Sequence, residues 1–218
     1  MSTFNIKPIF VLTLILCYTV SCAKKVTEPF VGHIQYKIVP ADTAYADLIP
    51  ETTMELYTND TIVRIETRNA IFGKQVSIKH LELKKSYLLL TFNNEKYAIQ
   101  TSQKEDTIVH DFTFEKVKGR SKDMFNEKTK KCKAIYKEDQ SEREIIYFEG
   151  IRPDLLDVYP GVEGLPARYS LNTKDGPVIY EVVQLKRTPL SKDLFGIPTD
   201  YKKLSLDEFL SIAMPKEN

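Results

Sequence analysis

Short runs of alternating apolar and polar residues, separated by turn residues, recur along most of this chain and constrain it to a sheet. Successive side chains of a strand point to opposite faces, so a period of two buries one face and solvates the other. Gly32-His-Ile-Gln-Tyr-Lys-Ile-Val39 puts Ile34, Tyr36 and Ile38 on one side, and Pro40 closes the run. Thr53–Tyr57 and Thr61–Thr67 flank Asn59-Asp60, residue types that favour a tight turn. Gly73–Lys79, Ser86–Phe92 and Lys96–Gln100 continue the meander, with Asn93-Asn94 as a second turn. Apolar density falls over residues 101–131, and Lys118-Gly-Arg-Ser-Lys-Asp123 reads as an exposed loop between the two halves. The pattern resumes in Cys132–Tyr136, Glu144–Phe148, Ala167–Leu171 and Pro177–Leu185. The expected fold class is therefore mainly β, a long antiparallel sheet.

Helices are expected to be short and few. Pro153, Pro160, Gly161 and Gly164 punctuate residues 151–165, leaving room for one helical turn around Asp154–Val158. The better candidate is Leu206–Ile212, where Ser205 supplies an N-cap and Glu208 completes a capping box. Leu206, Phe209, Leu210 and Ala213 would share one of its faces. Two places break the alternation of the strands, Leu88-Leu89-Leu90 and Ile145-Ile146. Both faces of those strands are apolar, so the second face needs a cover: the carboxy-terminal helix, or a ligand.

The amino terminus has the layout of an export signal. One lysine within Met1–Lys7 precedes an apolar stretch from Pro8 to Leu16 that fades toward Ser21-Cys22, and Lys24 and Lys25 follow at once. An apolar length of about 10–14 residues falls short of the ~20 a spanning helix needs. Residues 1–21 are therefore expected to be a signal peptide and residues 22–218 one domain. Thr19-Val20-Ser21-Cys22 resembles the lipobox of bacterial lipoproteins, in which a small residue precedes the acylated cysteine. Cys17, followed by bulky Tyr18, is the competing site of lipidation; an ordinary cleaved signal, with Cys22 a bystander, is the plainer alternative.

Removal of the signal leaves 30 basic residues against 30 acidic ones, because one of the 31 lies in the leader. A balanced, interspersed surface gives no field suited to a phosphate backbone, so nucleic acid is not an expected partner. With 42% hydrophobic residues, the body is large enough for one sizeable core. Cys132, the one cysteine beyond the signal region, reads as a small buried hydrophobe. His33, His80 and His110 are isolated from one another and from cysteine or carboxylate at metal-ligand spacing, so no metal is expected. His33 alternates with Ile34 and should face solvent. No nucleophile elbow or phosphate loop occurs, and Asp139, Glu142, Glu144 and Glu149 read as a solvated face, so neither an enzyme nor a cofactor is expected.

Several motifs, in order, resemble the DUF4412 lipoproteins common in Bacteroidetes, which are related in fold to the LolA/LolB lipoprotein carriers. They are Gly32-His-Ile-Gln-Tyr36, the pair Lys131-Cys-Lys133 and Ile146-Tyr147 about an acidic turn, and Tyr159-Pro-Gly-Val-Glu-Gly-Leu-Pro166. Phe195-Gly-Ile-Pro198, Tyr201-Lys and Leu206-Asp-Glu-Phe209 resemble the closing segment. Thr129-Lys-Lys131 departs from the family's Ile-x-Gly-Tyr, and Tyr147 or Phe148 replaces a frequent tryptophan. The resemblance implies a strongly curved, LolA-like half-barrel sheet partly wrapped around a helix. It also implies a concave apolar side able to hold a hydrophobic ligand, lipid or acylated peptide. The function expected on that basis is a lipid-anchored, non-catalytic binding module at the periplasmic face of the outer membrane, since Ala23-Lys24-Lys25 lacks the acidic signals associated with other destinations. The alternative is a structural component contacting an envelope protein partner. Labelled palmitate is expected on the protein, to be lost in Cys22→Ser and kept in Cys17→Ser. Label that never appears removes the anchor.

Overall fold

The computed structural model describes residues 29–42, 44, 50–69, 73–102, 112–117, 121–137 and 140–214. Cys17, Cys22, His110, Asp139 and Lys118–Arg120 lie outside the described residues. The alternating runs all become strands: β1 (Val31–Pro40), β2 (Thr52–Asn59), β3 (Ile62–Asn69), β4 (Gly73–His80), β5 (Lys85–Phe92) and β6 (Glu95–Ser102). A short β7 (Phe112–Lys116) leads to β8 (Thr129–Tyr136), β9 (Glu142–Phe148), β10 (Leu165–Thr173) and β11 (Gly176–Arg187). β12 (Lys202–Ser205) runs directly into the helix α1 (Leu206–Ala213). They form one 12-stranded sheet in the order β12-β6-β5-β4-β3-β2-β1-β11-β10-β9-β8-β7. Every neighbouring pair whose direction is given runs antiparallel except β12–β6, which is parallel.

Two antiparallel meanders thus share one seam, the pairing of β1 with β11 from Gly32↔Arg187 to Pro40↔Val178. The seam needs Gly32. A Cβ at this position, which has φ +156°, would lie 2.0 Å from the Lys186 carbonyl oxygen. The two strands touch there as only a residue without a side chain allows. Sequence neighbours β6 and β7 end up near opposite edges of the open sheet.

Curvature comes from two bulges. In β11 the partner of Gln35 is Gln184 and that of Tyr36 is Val182, which leaves Val183 unpaired and 44% exposed. In β10 the partners of Tyr147 and Ile146 are Pro166 and Arg168, with Ala167 as the extra residue. The concave face gathers Ile34, Tyr36, Ile38, Met54, Leu56, Val63, Ala134, Ile145, Tyr169 and Val182 into one buried core. The connection between β9 and β10 folds across that face instead of looping outside it, burying Ile151, Leu155, Leu156, Tyr159 and Val162 in the same core. Its single helical turn is a 3-10 turn at Pro153–Leu155, shorter than Asp154–Val158.

The chain after β11 crosses the convex face as a strap. Ile197 and Tyr201 pack against Val76, Ile78, Leu89 and Ala98, and Arg64 donates to the Leu194 carbonyl oxygen at 3.0 Å. The strap then pairs at the edge as β12, and α1 turns over onto the concave side. The apolar second face of β5 thereby has its explanation: Leu89 lies under the strap, while Leu88 and Leu90 lie under α1. Ser205 and Glu208 form the expected capping box. Of the face Leu206, Phe209, Leu210 and Ala213, however, Leu206 and Leu210 are each 37% exposed. The helix meets the sheet at its edge, where the floor is wide enough only for Phe209 and Ala213.

Gly164 marks the point where the β9–β10 connection rejoins the sheet; a Cβ there would lie 2.1 Å from the Phe148 carbonyl oxygen and 2.9 Å from the Tyr147 ring. Gly164→Ala is expected to cost about 2 kcal/mol in urea unfolding, as backbone displaced in a packed core does. Gly150→Ala, whose Cβ would meet only Glu127 Oε2 at 4.0 Å, should change the midpoint little. Equal effects would contradict the close approach.

Candidate functional site

The concave face is the candidate site, and it divides into two compartments. Inner-facing tyrosines dominate the one over β8–β11 and β1. Tyr169 stacks on Tyr180 with ring centroids 4.8 Å apart and meets Tyr36 and Tyr159 edge to face at 6.2 and 6.1 Å. Each phenol at the bottom has a backbone acceptor: Tyr36 donates to the Pro166 carbonyl oxygen at 2.8 Å and Tyr159 to that of Ser170 at 2.5 Å. Burial raises both above the ordinary tyrosine range, so they are neutral donors. Phe112 extends the ring series to Tyr159 at 5.1 Å and Tyr136 at 4.5 Å. This compartment is filled by its own side chains, with Ile151 and Leu155 fully buried.

Lys79 on the inner face of β4 closes the compartment off. Its Nζ lies 3.1 Å from Asp157 Oδ2 in the β9–β10 connection. Beyond it, the inner faces of β5 and β6 form an apolar floor of Leu88, Leu90, Tyr97 and Ile99. Polar Ser86 and Thr101 bond to each other at one end, Oγ to Oγ1 at 2.7 Å. Only Phe209 and Ala213 of α1 cover this floor, with Phe209 edge-on to Tyr97 at 5.6 Å and to Phe92 at 5.8 Å. The outward side of the same helix leaves Leu206, Leu210, Ile212 and Met214 exposed. A separate cleft of about 470 Å³ opens on the convex side at the start of α1, between Tyr87, Gln100 and Asp207.

The convex face carries His33, His80, Glu142 and Glu144. His33 points away from the core as expected, yet it is not solvent-facing in the sense foreseen: its side chain is only 17% exposed. The ring stacks on Tyr57 at 4.6 Å and its Nε2 meets Glu55 Oε2, while Gln35 donates to Glu55 Oε1 at 2.7 Å. The neighbouring strand supplies Tyr57 and Glu55, which periodicity within one strand does not reveal. His80 sits edge-on to Tyr87 at 6.4 Å. Glu142, Glu144 and Glu149 are each taken by a lysine of β8, Lys133, Lys131 and Lys130, rather than facing one another. Burial pushes Glu66 up, but bonds from Lys74 and Arg64 outweigh it and leave the carboxyl below its usual range. That trio secures the convex face beneath the strap. Among the described residues no group of three His, Cys, Asp or Glu is placed to hold a metal.

Cys132 is buried, as its position in an apolar strand suggested. Burial first, then Glu163, pushes its thiol up to about 11, and burial, Glu163 and Cys132 itself push the Tyr147 phenol up to about 12. Such a thiol is no nucleophile at neutral pH. The chain matches no family model, and no curated protein matches it.

Both groups favour their neutral forms in the folded protein. Their contribution to stability is therefore complete below about pH 9, the unfolded thiol's pKa, and is lost as pH rises through 11 and 12. The thermal midpoint is expected to fall over pH 9–12. The fall should shrink in Cys132→Ala, and an identical profile in that variant would contradict the assignment.

Proposed function

We propose that this chain is a lipid-anchored envelope protein, non-catalytic, that holds an apolar ligand such as a lipid chain or acylated peptide beneath α1 in the periplasm. The observation that carries this reading is the contrast between the two compartments. The aromatic one is plugged by a connection that buries Ile151, Leu155, Leu156, Tyr159 and Val162 in it. The floor of Leu88, Leu90, Tyr97 and Ile99 is covered by a helix of 8 residues that contributes Phe209 and Ala213 to it. So short a helix is marginal on its own and depends on those contacts, so it is the part of the cover that an acyl chain displaces most cheaply. Its exposed Leu206, Leu210 and Met214 would continue the apolar lining once the helix tilts away. The signal-like leader and the cysteine at position 22 support the anchor, and the motifs that resemble those of the DUF4412 lipoproteins support the reading of the sheet as a holder.

A second reading, an interaction component of an envelope complex, is favoured by β7. This strand of 5 residues forms one edge of the sheet, with Thr113, Glu115 and Lys116 exposed, and such an edge accepts an added strand.

Native mass spectrometry of protein extracted from membranes is expected to show a bound apolar molecule. Phe209→Ala should raise uptake of a fluorescent fatty acid several-fold by loosening the cover. Protein that is always empty and takes up no probe, with or without the substitution, overturns the holder reading.

A further inference from the structure

Polar contacts fasten the first described residues to one rim of the half-barrel. Phe30 N donates to Asp60 Oδ1 at 3.1 Å in the β2–β3 turn, and Arg152 donates to the Asp60 carbonyl oxygen at 3.1 Å. Arg187 donates to the Pro29 carbonyl oxygen at 3.3 Å and to Glu127 Oε1 at 2.8 Å, with its guanidinium 5.0 Å over the Phe30 ring. Glu127 closes a tight turn through reciprocal backbone bonds with Met124 at 2.9 and 3.0 Å. The β4–β5 turn joins the same rim, because Leu81 N donates to the Thr61 carbonyl oxygen at 3.0 Å.

Two residues on this rim are unusual for a water-facing surface. Phe125 and Asn126 form the tip of the Met124–Glu127 turn with φ +54° and +63°. Turns of that shape favour Asn and Gly, because a positive φ crowds any larger side chain. The chain nevertheless holds a phenylalanine there, 40% exposed. Leu83, in the β4–β5 turn, is 65% exposed. Around them Lys84, Lys85, Lys122 and Lys128 are all exposed, and none enters an ion pair among the described residues. The acids nearby are mostly engaged: Glu127 by Arg187, Asp60 and Asp154 by Arg152, and Glu149 by Lys130. Glu82 stands against the four lysines, and Asp123 is not free.

We infer that this rim is a docking surface for an anionic phospholipid bilayer, with Phe125 and Leu83 entering the acyl boundary and the four lysines facing the headgroups. Apolar anchors beside unpaired cations are what an interface of that kind rewards. The inference rests on the anchoring reading: seven residues from an acylated Cys22 to Pro29 span at most about 25 Å, so the tether holds this rim, not the other, near the surface. At the β10–β11 turn the opposite rim presents Lys174 and Asp175.

The chain has no tryptophan, so one introduced residue reports on its own surroundings. Phe125→Trp and, on the far rim, Lys174→Trp are compared in acylated full-length protein, reconstituted in phosphatidylglycerol and phosphatidylcholine vesicles with brominated acyl chains. The Phe125→Trp protein is expected to be quenched several-fold more strongly, with blue-shifted emission. The difference should shrink when phosphatidylglycerol is left out or when Lys84→Glu and Lys85→Glu are added. Equal quenching of the two proteins, with the acyl mass on Cys22 intact, overturns the docking surface; absence of that mass overturns the anchor itself. Phe125→Asn, which suits a positive φ, is expected to leave the unfolding midpoint unchanged or raised. A midpoint lowered by several degrees would assign Phe125 to the fold and overturn its part in docking.

Discussion

The pairing of β1 with β11 is the interaction on which the rest of the structure depends. Without it the chain is two separate meanders, β1–β6 and β7–β11, each with a bare edge and half a core. The pairing brings the inner faces of Ile34 and Tyr36 against Leu185 and Val182, and it places the bulge at Val183 that bends the joint. The bend in turn lets the β9–β10 connection reach from one side of the trough to the other, where Lys79 meets its Asp157 and the Asp60 carbonyl oxygen accepts from its Arg152. Gly32 makes the approach possible, and a sheet joined at so close a point has little freedom to slide in register.

Most of the architecture was legible in the alternation of the sequence because antiparallel strands with one solvated face write their pattern residue by residue. Ten of the strands, both Asn-containing turns and the capping box of α1 follow from local rules. β7 and β12 do not. Phe112 and Phe114 lie in a polar stretch too short to show a period, and Lys202–Ser205 has almost no apolar content and is a strand only because β6 offers it an edge. The bulges were hidden for a related reason. An unbroken Val-Ile-Tyr-Glu-Val-Val-Gln-Leu reads as one strand, and only the partner's register reveals the extra residue.

The site was less legible than the sheet. Apolar residues on both faces of β5 correctly called for a second cover, but sequence could not divide the task between a strap outside and a helix inside. It also could not tell that the tyrosine-rich trough would be occupied by residues 151–164, since the prolines and glycines of that segment leave no period that assigns it to a face. His33 shows the same limit on a smaller scale: Tyr57 and Glu55, which half-bury it, are more than twenty positions away in the chain and one strand away in space.

The long span of the central seam also bears on biogenesis. Gly32 waits for Arg187, so the first strand is made with one flank exposed for as long as the following 150 or so residues take to emerge. During that interval its Ile34, Tyr36 and Ile38 are an open invitation to the wrong neighbour, and a second nascent copy is the nearest one. A topology that fastens its beginning to its end thus leaves the unfinished chain with an open edge that the finished sheet does not have.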